Sequence, residues 1–451
     1  MKFLVAPWGW PERYEEVPYR ITEMDFIRRS KTATGALQEA LQPDHTILIF
    51  PDSLAVFNLK TFEQSSYMEI LSELSKFLLK KFISQNPWIP HFEEERDLIL
   101  LSPNVGTFVY KEKINGEFKE RARLTIKGAM SDYFSWVYYH LSDFILEKLK
   151  EVDELELVLD MSHGHNFMST LTYLALYEIG SIVELKLHQK VYLKLYNADP
   201  YAENVEFMEI NLVKEVVPKM QLPRKLPTQK FLPLKVNFKD PQLSRKLSRT
   251  FSEFNDFYHN ECLPFLGAFS QGIPLGIVTF FPSDTNNFKV LSQRILDEFE
   301  NNISVIYQGE SNFLILQRRV CFTEYFSSIL FLHNLTRIIS DIGIRHSNEI
   351  NLMELREMAR KIYKNFPVLK GRIDYEIDHL LKSELTQWRK ALDWNFFSRK
   401  ESGIHKRNFL AHAGLCRNCF EYKNKDGECW VRYCNSSLEI VKNYLYETVQ
   451  K

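Results

Sequence analysis

Five short apolar runs punctuate the first 200 residues: KFLVAPW (2–8), HTILIFP (45–51), DLILLSP (97–103), LELVLDM (155–161) and ELKLHQKVYLKL (184–195). The first four are apolar at almost every position, the pattern of strands buried on both faces of a parallel sheet. Between them, SSYMEILSELSKFLLKKFI (65–83) and SDYFSWVYYHLSDFILEKLKEV (131–152) carry apolar residues three and four apart, which predicts helices with one buried stripe. A third helix, NFMSTLTYLALYEIGSIV (166–183), follows the fourth strand. Strand–helix alternation of this kind predicts a doubly wound, Rossmann-like α/β domain over residues 1–200.

The pattern then changes. PKMQLPRKLPTQKFLPLKVNFKD (218–240) holds four prolines among scattered lysines and arginines, the signature of an extended connection. From about residue 240 the spacing is helical: 244–266, 290–307, 325–344, 351–366 and 373–397. A mostly α-helical connecting segment (201–340) and an α-helical terminal domain (341–451) are expected. CFEYKNKDGECWVRYC (419–434) reads as a small β-hairpin turned at NKDG.

Composition narrows the partners. Lys+Arg (57) nearly balance Asp+Glu (58), so any nucleic-acid contact must come from local basic patches. The N-terminus MKFLVAPWGW turns polar before a signal-peptide core could form, and runs such as GIVTFF (276–281) are too short to span a bilayer. The expectation is a cytoplasmic protein with no membrane partner.

In open α/β sheets ligands sit beyond the carboxyl ends of the strands. Three such ends are rich in small polar groups: APWGWP (6–11, with Trp8 and Gly9), LSPNVGTF (101–108, with Ser102 and Asn104) and LDMSHGHNF (159–167). None matches the glycine-rich dinucleotide or P-loop spacings. The last supplies Ser162, His163 and Asn166 with Gly164 at a helix N-terminus, a cradle suited to a phosphate or an adenine edge; a plain strand–helix turn is the competing reading. His163 and His165 near Asp160 raise a metal-dependent phosphodiesterase as a weaker alternative, with no further ligands to complete the set.

APWGWP and Asp160-x-Ser162-His163-Gly164-x-Asn166 resemble the CRISPR-associated Rossmann-fold sensor domain, CARF, of type III accessory ribonucleases that carry a C-terminal HEPN domain. The resemblance implies a homodimer, or an oligomer of dimers, whose paired sensors bind a cyclic oligoadenylate, most often cyclic tetra-adenylate, as allosteric activator. Trp8, Gly9, Ser102, Asn104, Ser162, His163, Gly164 and Asn166 are then the candidate ligand-binding residues.

HEPN ribonucleases carry Arg-x4–6-His, and KRNFLAHAGL (406–415) offers Arg407, Asn408 and His412 at the start of an apolar stretch. A second match, Arg399 to His405, lacks a suitable polar residue after its arginine and is interrupted by Gly403. Arg399, Lys400, His405 and Lys406 become candidates for RNA-backbone contacts. An imidazole exchanges protons near neutral pH, and a guanidinium braces phosphorane oxygens. The expected activity is metal-independent cleavage of single-stranded RNA by 2′-OH attack, with no cofactor and with two chains pairing their motifs. A nucleotide-sensing regulator or nucleic-acid-binding protein without catalysis is the alternative, for which SRKLSRTF (244–251) is basic enough. Cys416, Cys419, Cys429 and Cys434 suggest disulfides pinning the hairpin to the preceding helix, or a zinc site of unusual spacing.

Overall fold

The structure is a computed structural model and describes all residues except 11–13, 62–64, 85–87, 150–151, 201–204, 309–311, 382–388, 397–403 and 451. The chain divides into two units: 1–219 with 234–244 and 294–323, and 220–233 with 245–293 and 324–451.

The first unit is built on β1 (Lys2–Pro7), β2 (Val17–Ile21), β3 (Phe26–Ser30), β4 (His45–Pro51), β5 (Leu98–Ser102), β6 (Gly106–Ile114), β7 (Glu117–Lys127), β8 (Leu155–Asp160), β9 (Val191–Ala198), β10 (Met208–Val216), β11 (Leu234–Val236), β12 (Ile303–Gln308), β13 (Phe313–Arg318) and β14 (Val320–Phe322). Its helices are α1 (Ala33–Leu41), α2 (Tyr67–Leu78), α3 (Asp132–Lys148) and α4 (Asn166–Leu187). Eight strands form one sheet in the order β3-β2-β10-β9-β8-β1-β4-β5. The five from β9 to β5 run parallel. Phe3 to Ala6, Ile47 to Phe50 and Leu157 to Leu159 are all fully buried, which is why the strands read as unbroken apolar runs.

Strand order reverses at β1: the chain leaves it for β4 and β5 on one side and returns to β8 and β9 on the other. The carboxyl ends of β1 and β8 thus flank the switch point, where an open sheet of this kind leaves a crevice. Residues 8–9 and 161–165 occupy it.

Several local expectations are corrected. Residues 184–187 belong to α4, which ends where His188 and Gln189 take positive φ, and β9 begins only at Val191. The expected 290–307 helix is Asn286–Glu300 followed by β12. β12 and β13 join β7 and β6 in a second sheet, order β12-β13-β7-β6, whose strands come from chain segments about 200 residues apart. That pairing is non-local, so periodicity within one window gave no sign of it.

The second unit holds helices Leu263–Gln271, Pro274–Thr279, Glu324–Asp341, Leu352–Ile362, Pro367–His379, Lys406–Ala411 and Leu438–Val449. Its four strands are β15 (Ile350–Asn351), β16 (Asn395–Phe396), β17 (Phe420–Lys425) and β18 (Glu428–Tyr433), ordered β15-β18-β17-β16. The expected hairpin is β17–β18, turned at residues 426–427, where Asp426 and Gly427 have positive φ. The single helix expected over 373–397 is not continuous: Pro367–His379 closes early, 382–388 lie outside the described residues, and Asn395–Phe396 pairs with β17.

Candidate functional site

At the switch point the backbone itself joins β1 to β8. The Gly9 amide donates to the His163 carbonyl at 2.8 Å, and the Trp8 amide to Ile49 at 2.8 Å. A Cβ on Gly164 would stand 3.0 Å from the Pro7 carbonyl, so glycine lets the turn after β8 lie close against β1. Trp8 is fully buried and donates through Nε1 to Thr34 (2.9 Å), whose hydroxyl donates to Asp160 (2.5 Å). Asp160 also accepts the Ser162 amide (2.9 Å) and hydroxyl (2.5 Å). Ser162 Oγ in turn accepts the Ala198 amide at 2.9 Å. The serine hydroxyl is therefore committed on both sides and acts as a brace between β8 and β9.

His163 Nε2 accepts the Ala33 amide at 2.8 Å, so the imidazole proton sits on Nδ1. Burial lowers its pKa against the pull of Asp160, which keeps the ring neutral and fit to accept. Tyr14 lies over it, ring centroids 4.6 Å apart, and donates to its carbonyl at 3.1 Å. With Nε2 spent on the backbone, His163 has no lone pair left for a metal. Among the described residues no group of three or more His, Cys, Asp or Glu is placed to hold an ion. The His163–His165 phosphodiesterase reading loses its chemistry.

His165 and Asn166 are exposed at the start of α4, and the His165 side chain does not cap that helix. These two residues stand at the switch point beside the positive end of a 22-residue helix dipole, with Gly164 half-buried and Gly9 buried.

Ser102 and Asn104 lie elsewhere. Both are buried at the end of β5, two strands from β1. Ser102 donates to the Phe50 carbonyl (3.1 Å). The Asn104 side chain donates to Ser53 (3.0 Å) and accepts from the Val105 amide (2.8 Å). Its backbone serves a buried ion pair: Asn104 N donates to Asp52 (3.0 Å), and Arg318 donates to the Asn104 carbonyl (2.6 Å) and to the Asp52 carboxylate. Tyr67 completes the cluster by donating to Asp52 at 2.9 Å. Burial pushes the Asp52 carboxyl up, opposed by the Arg318 guanidinium. This network ties the ends of β4 and β5 to β13.

In the second unit the sequence KRNFLA (406–411) forms a single short helix. His405 precedes it, and His412 closes it. Phe409 is buried near Tyr433 and Tyr444, ring centroids 6.3 and 6.1 Å away. The Tyr444 hydroxyl holds the entry by donating to the Ile404 carbonyl at 2.7 Å. The exit turns through Ala413 (φ 49°) and Gly414 (φ 77°), with the Gly414 amide bonded back to Phe409 O at 2.9 Å. A Cβ on Gly414 would stand 2.7 Å from the Tyr433 hydroxyl and closer still to Ile273. Anchored inside at Phe409, Ala413 and Leu415, the segment leaves Arg407, Asn408 and His412 exposed.

Asn408 and His412 are one turn apart on the same face, and the His412 amide bonds to the Asn408 carbonyl at 3.0 Å. Five helical steps place Arg407 about 140° round the axis from His412. Lys406 is paired with Glu447 at 2.5 Å, and Arg399 and Lys400 lie outside the described residues. A residue that sequence reasoning missed touches the site: Glu376, from Pro367–His379, has Oε2 2.9 Å from His412 Nδ1. Its signal is only an acidic residue one position before the buried Ile377, a placement shared by many surface glutamates.

All six cysteines are free thiols, so no disulfide joins the hairpin to the preceding helix. Cys416 and Cys419 instead bring their sulfurs to 2.7 Å within one turn, while Cys429 and Cys434 are buried on and after β18.

Residues 3–200 match "CRISPR system endoribonuclease Csx1, CARF domain", and residues 366–436 match "CRISPR system endoribonuclease Csx1, HEPN domain". The chain joins a CARF domain to a HEPN domain and is homologous to CRISPR Csx1 enzymes. The two Csx1 matches enclose the switch-point crevice and the Arg407–His412 segment respectively, and together they cover more than half of the 451 residues. A curated relative, "CRISPR system endoribonuclease Csx1" of Methanocaldococcus jannaschii, is 27% identical over 99% of this chain and 92% of its own length. A solved structure described as "Enterococcus italicus Csm6 bound to cyclic hexa-2'-fluoro-hexa-dAMP" is 10% identical over 100% of this chain and 95% of that one, with a TM-score of 0.21, too low to argue from. The two domain matches support a nuclease role for the HEPN region and a cyclic oligoadenylate-binding role for the CARF region in general terms. Among the described residues no helix is long and apolar enough to cross a membrane.

Proposed function

We propose that the protein is a cyclic oligoadenylate-activated endoribonuclease of CRISPR type III antiviral defence that cleaves single-stranded RNA without a metal ion. The observation that carries the reading is the exposure of Arg407, Asn408 and His412 on a segment anchored at buried Phe409, Ala413 and Leu415 inside the HEPN match. Three polar groups held out to solvent by a tight glycine turn are suited to chemistry on an incoming strand.

In this mechanism the RNA's own 2′-OH is the nucleophile. His412 takes its proton as the O2′–P bond forms, Arg407 stabilises the charge on the phosphorane oxygens, and Asn408 orients the phosphate. The P–O5′ bond breaks as the 5′ oxygen takes a proton from water, and the proton held by His412 returns to solvent, leaving a 2′,3′-cyclic phosphate and a 5′-OH. The chain carries one such arginine and one such histidine, pointing in different directions from a single helix, so a second copy completes the site. Val368 (83% exposed) and Tyr375 (66%) present apolar surface on the Pro367–His379 helix, next to Glu376, where a second copy would cover it.

Cyclic tetra-adenylate is the proposed activator, seated over Gly9, Gly164, His165 and Asn166 with its phosphates toward the start of α4. Buried Trp8 and half-buried Ser162 and His163 shape the crevice from below. The activator must bind the cleaving arrangement more tightly than the resting one, since equal affinity shifts nothing.

The test is incubation of labelled RNA in EDTA with and without cyclic tetra-adenylate. Ligand-stimulated cleavage is expected in the wild type and its loss, with ligand binding intact, in His412→Ala and Arg407→Ala. Full cleavage by His412→Ala removes the assignment, and tight ligand binding with no cleavage returns the protein to a non-catalytic sensor.

A further inference from the structure

We infer that Glu376 is a positioning residue for His412, holding its imidazole in one tautomer and orientation for proton transfer; this rests on the ribonuclease reading above. The contact joins residues 36 positions apart, from two different helices. A carboxylate can only accept, so His412 Nδ1 carries the proton in this pair and the lone pair is left on Nε2 of a half-exposed ring. That is the nitrogen able to take a proton from a 2′-OH. A free histidine side chain in water favours the opposite tautomer, with the proton on Nε2, so an unpartnered His412 would spend most of its time in the wrong state for a base.

The burial of the two groups suits their roles. The His412 side chain is 52% exposed and can meet an RNA strand, whereas that of Glu376 is only 13% exposed and meets the imidazole from the protein side. Glu376 is held there by its helix. Ile373, Ile377 and Leu380 bury one face, which places Glu376 at the rim. Arg372, one turn earlier, bonds to the carbonyls of Gln271 and Gly272 and lies close enough to interact electrostatically with Glu376. The carboxylate is thus fixed in direction.

During the reaction Nε2 takes the 2′-OH proton while the O2′–P bond forms, and the ring becomes a cation. Glu376 keeps its own charge and pairs with that cation through the same Nδ1–H. The stabilisation grows as the transition state is approached, so it acts on kcat more than on KM.

Kinetics of the full-length protein with cyclic tetra-adenylate and labelled RNA, combined with NMR of protein labelled with 15N-histidine at alkaline pH, test this. Glu376→Ala is expected to lower kcat about 10- to 100-fold, less than the roughly 10²–10⁴ that general acid–base catalysis supplies because the imidazole itself remains, with KM within about threefold. Its His412 signals, assigned by their disappearance in His412→Ala, should move from the Nδ1–H to the Nε2–H pattern. Glu376→Gln, whose amide oxygen can still accept from Nδ1, should keep the wild-type tautomer and lose less kcat than Glu376→Ala. A Glu376→Ala protein with kcat within twofold of wild type, or with an unchanged 15N pattern, overturns the inference. Cleavage by His412→Ala would overturn the ribonuclease assignment instead, and the tautomer measurement would still decide whether Glu376 holds the ring.

Discussion

Replacing Arg318 by methionine should destabilise the first unit severely, and replacing Asp52 by asparagine at the same time should restore most of the loss. Both side chains are fully buried, and the guanidinium donates to the Asp52 carboxylate and to the Asn104 carbonyl. Methionine fills much of the same volume but leaves Asp52 as a buried charge with only the Tyr67 hydroxyl and Asn104 amide for company. Removing one member of a buried pair costs about 3–5 kcal/mol. In the double variant no charge is stranded: the carboxamide introduced by Asp52→Asn can still accept the Asn104 amide, and the remaining deficit is the hydrogen bond to the Asn104 carbonyl, about 1–2 kcal/mol. The second substitution therefore recovers about 2–3 kcal/mol of the Arg318→Met loss. Urea denaturation followed by tryptophan fluorescence reads it, because Trp8, Trp88 and Trp136 are buried in this unit. Additive losses, or a single Arg318→Met loss below about 1 kcal/mol, would refute the argument that charge stranding dominates.

Asp132 and Gly414 provide two further tests. Burial raises the Asp132 carboxyl to about 6, partly offset by the Phe322 amide, and its Oδ2 is buried without a partner. The folded chain thus binds a proton that the unfolded chain has released between about pH 4 and 6. Stability from this group is greatest below that window and falls by about 3 kcal/mol as pH rises through it. Asp132→Asn should flatten this slope and raise the melting temperature at pH 8; an unchanged slope counts against the assignment. Gly414→Ala should cost about 2–4 kcal/mol, combining an L-residue at φ 77° with a Cβ pressed on Tyr433 and Ile273, and should disturb His412 two residues earlier. A variant of wild-type melting temperature and cleavage rate would show that the turn yields freely.

What the sequence determined by itself follows from local physics. Strands buried on both faces must be apolar throughout, so β1, β4, β5 and β8 were legible, as were the helices between them and the β17–β18 hairpin. Polar groups on a strand end beside a helix start also mark a place, so the crevice at Gly9 and Gly164 and the exposed trio Arg407, Asn408 and His412 could be named in advance. Tertiary structure decided the rest, because it depends on contacts between distant positions. Ser102 and Asn104 have the composition of ligand-binding residues, yet Ser102 is spent on the Phe50 carbonyl and Asn104 serves the buried Asp52–Arg318 pair, whose members stand 266 residues apart. Strands β12 and β13 exist because β7 offers an edge from the other half of the chain. Ser162 and His163 carry reactive groups, but their donors and acceptors are spent on Asp160, Ala198 and Ala33. Only the folded chain brings Glu376 to His412, since a glutamate on a helix rim looks the same in sequence whether it faces water or an imidazole.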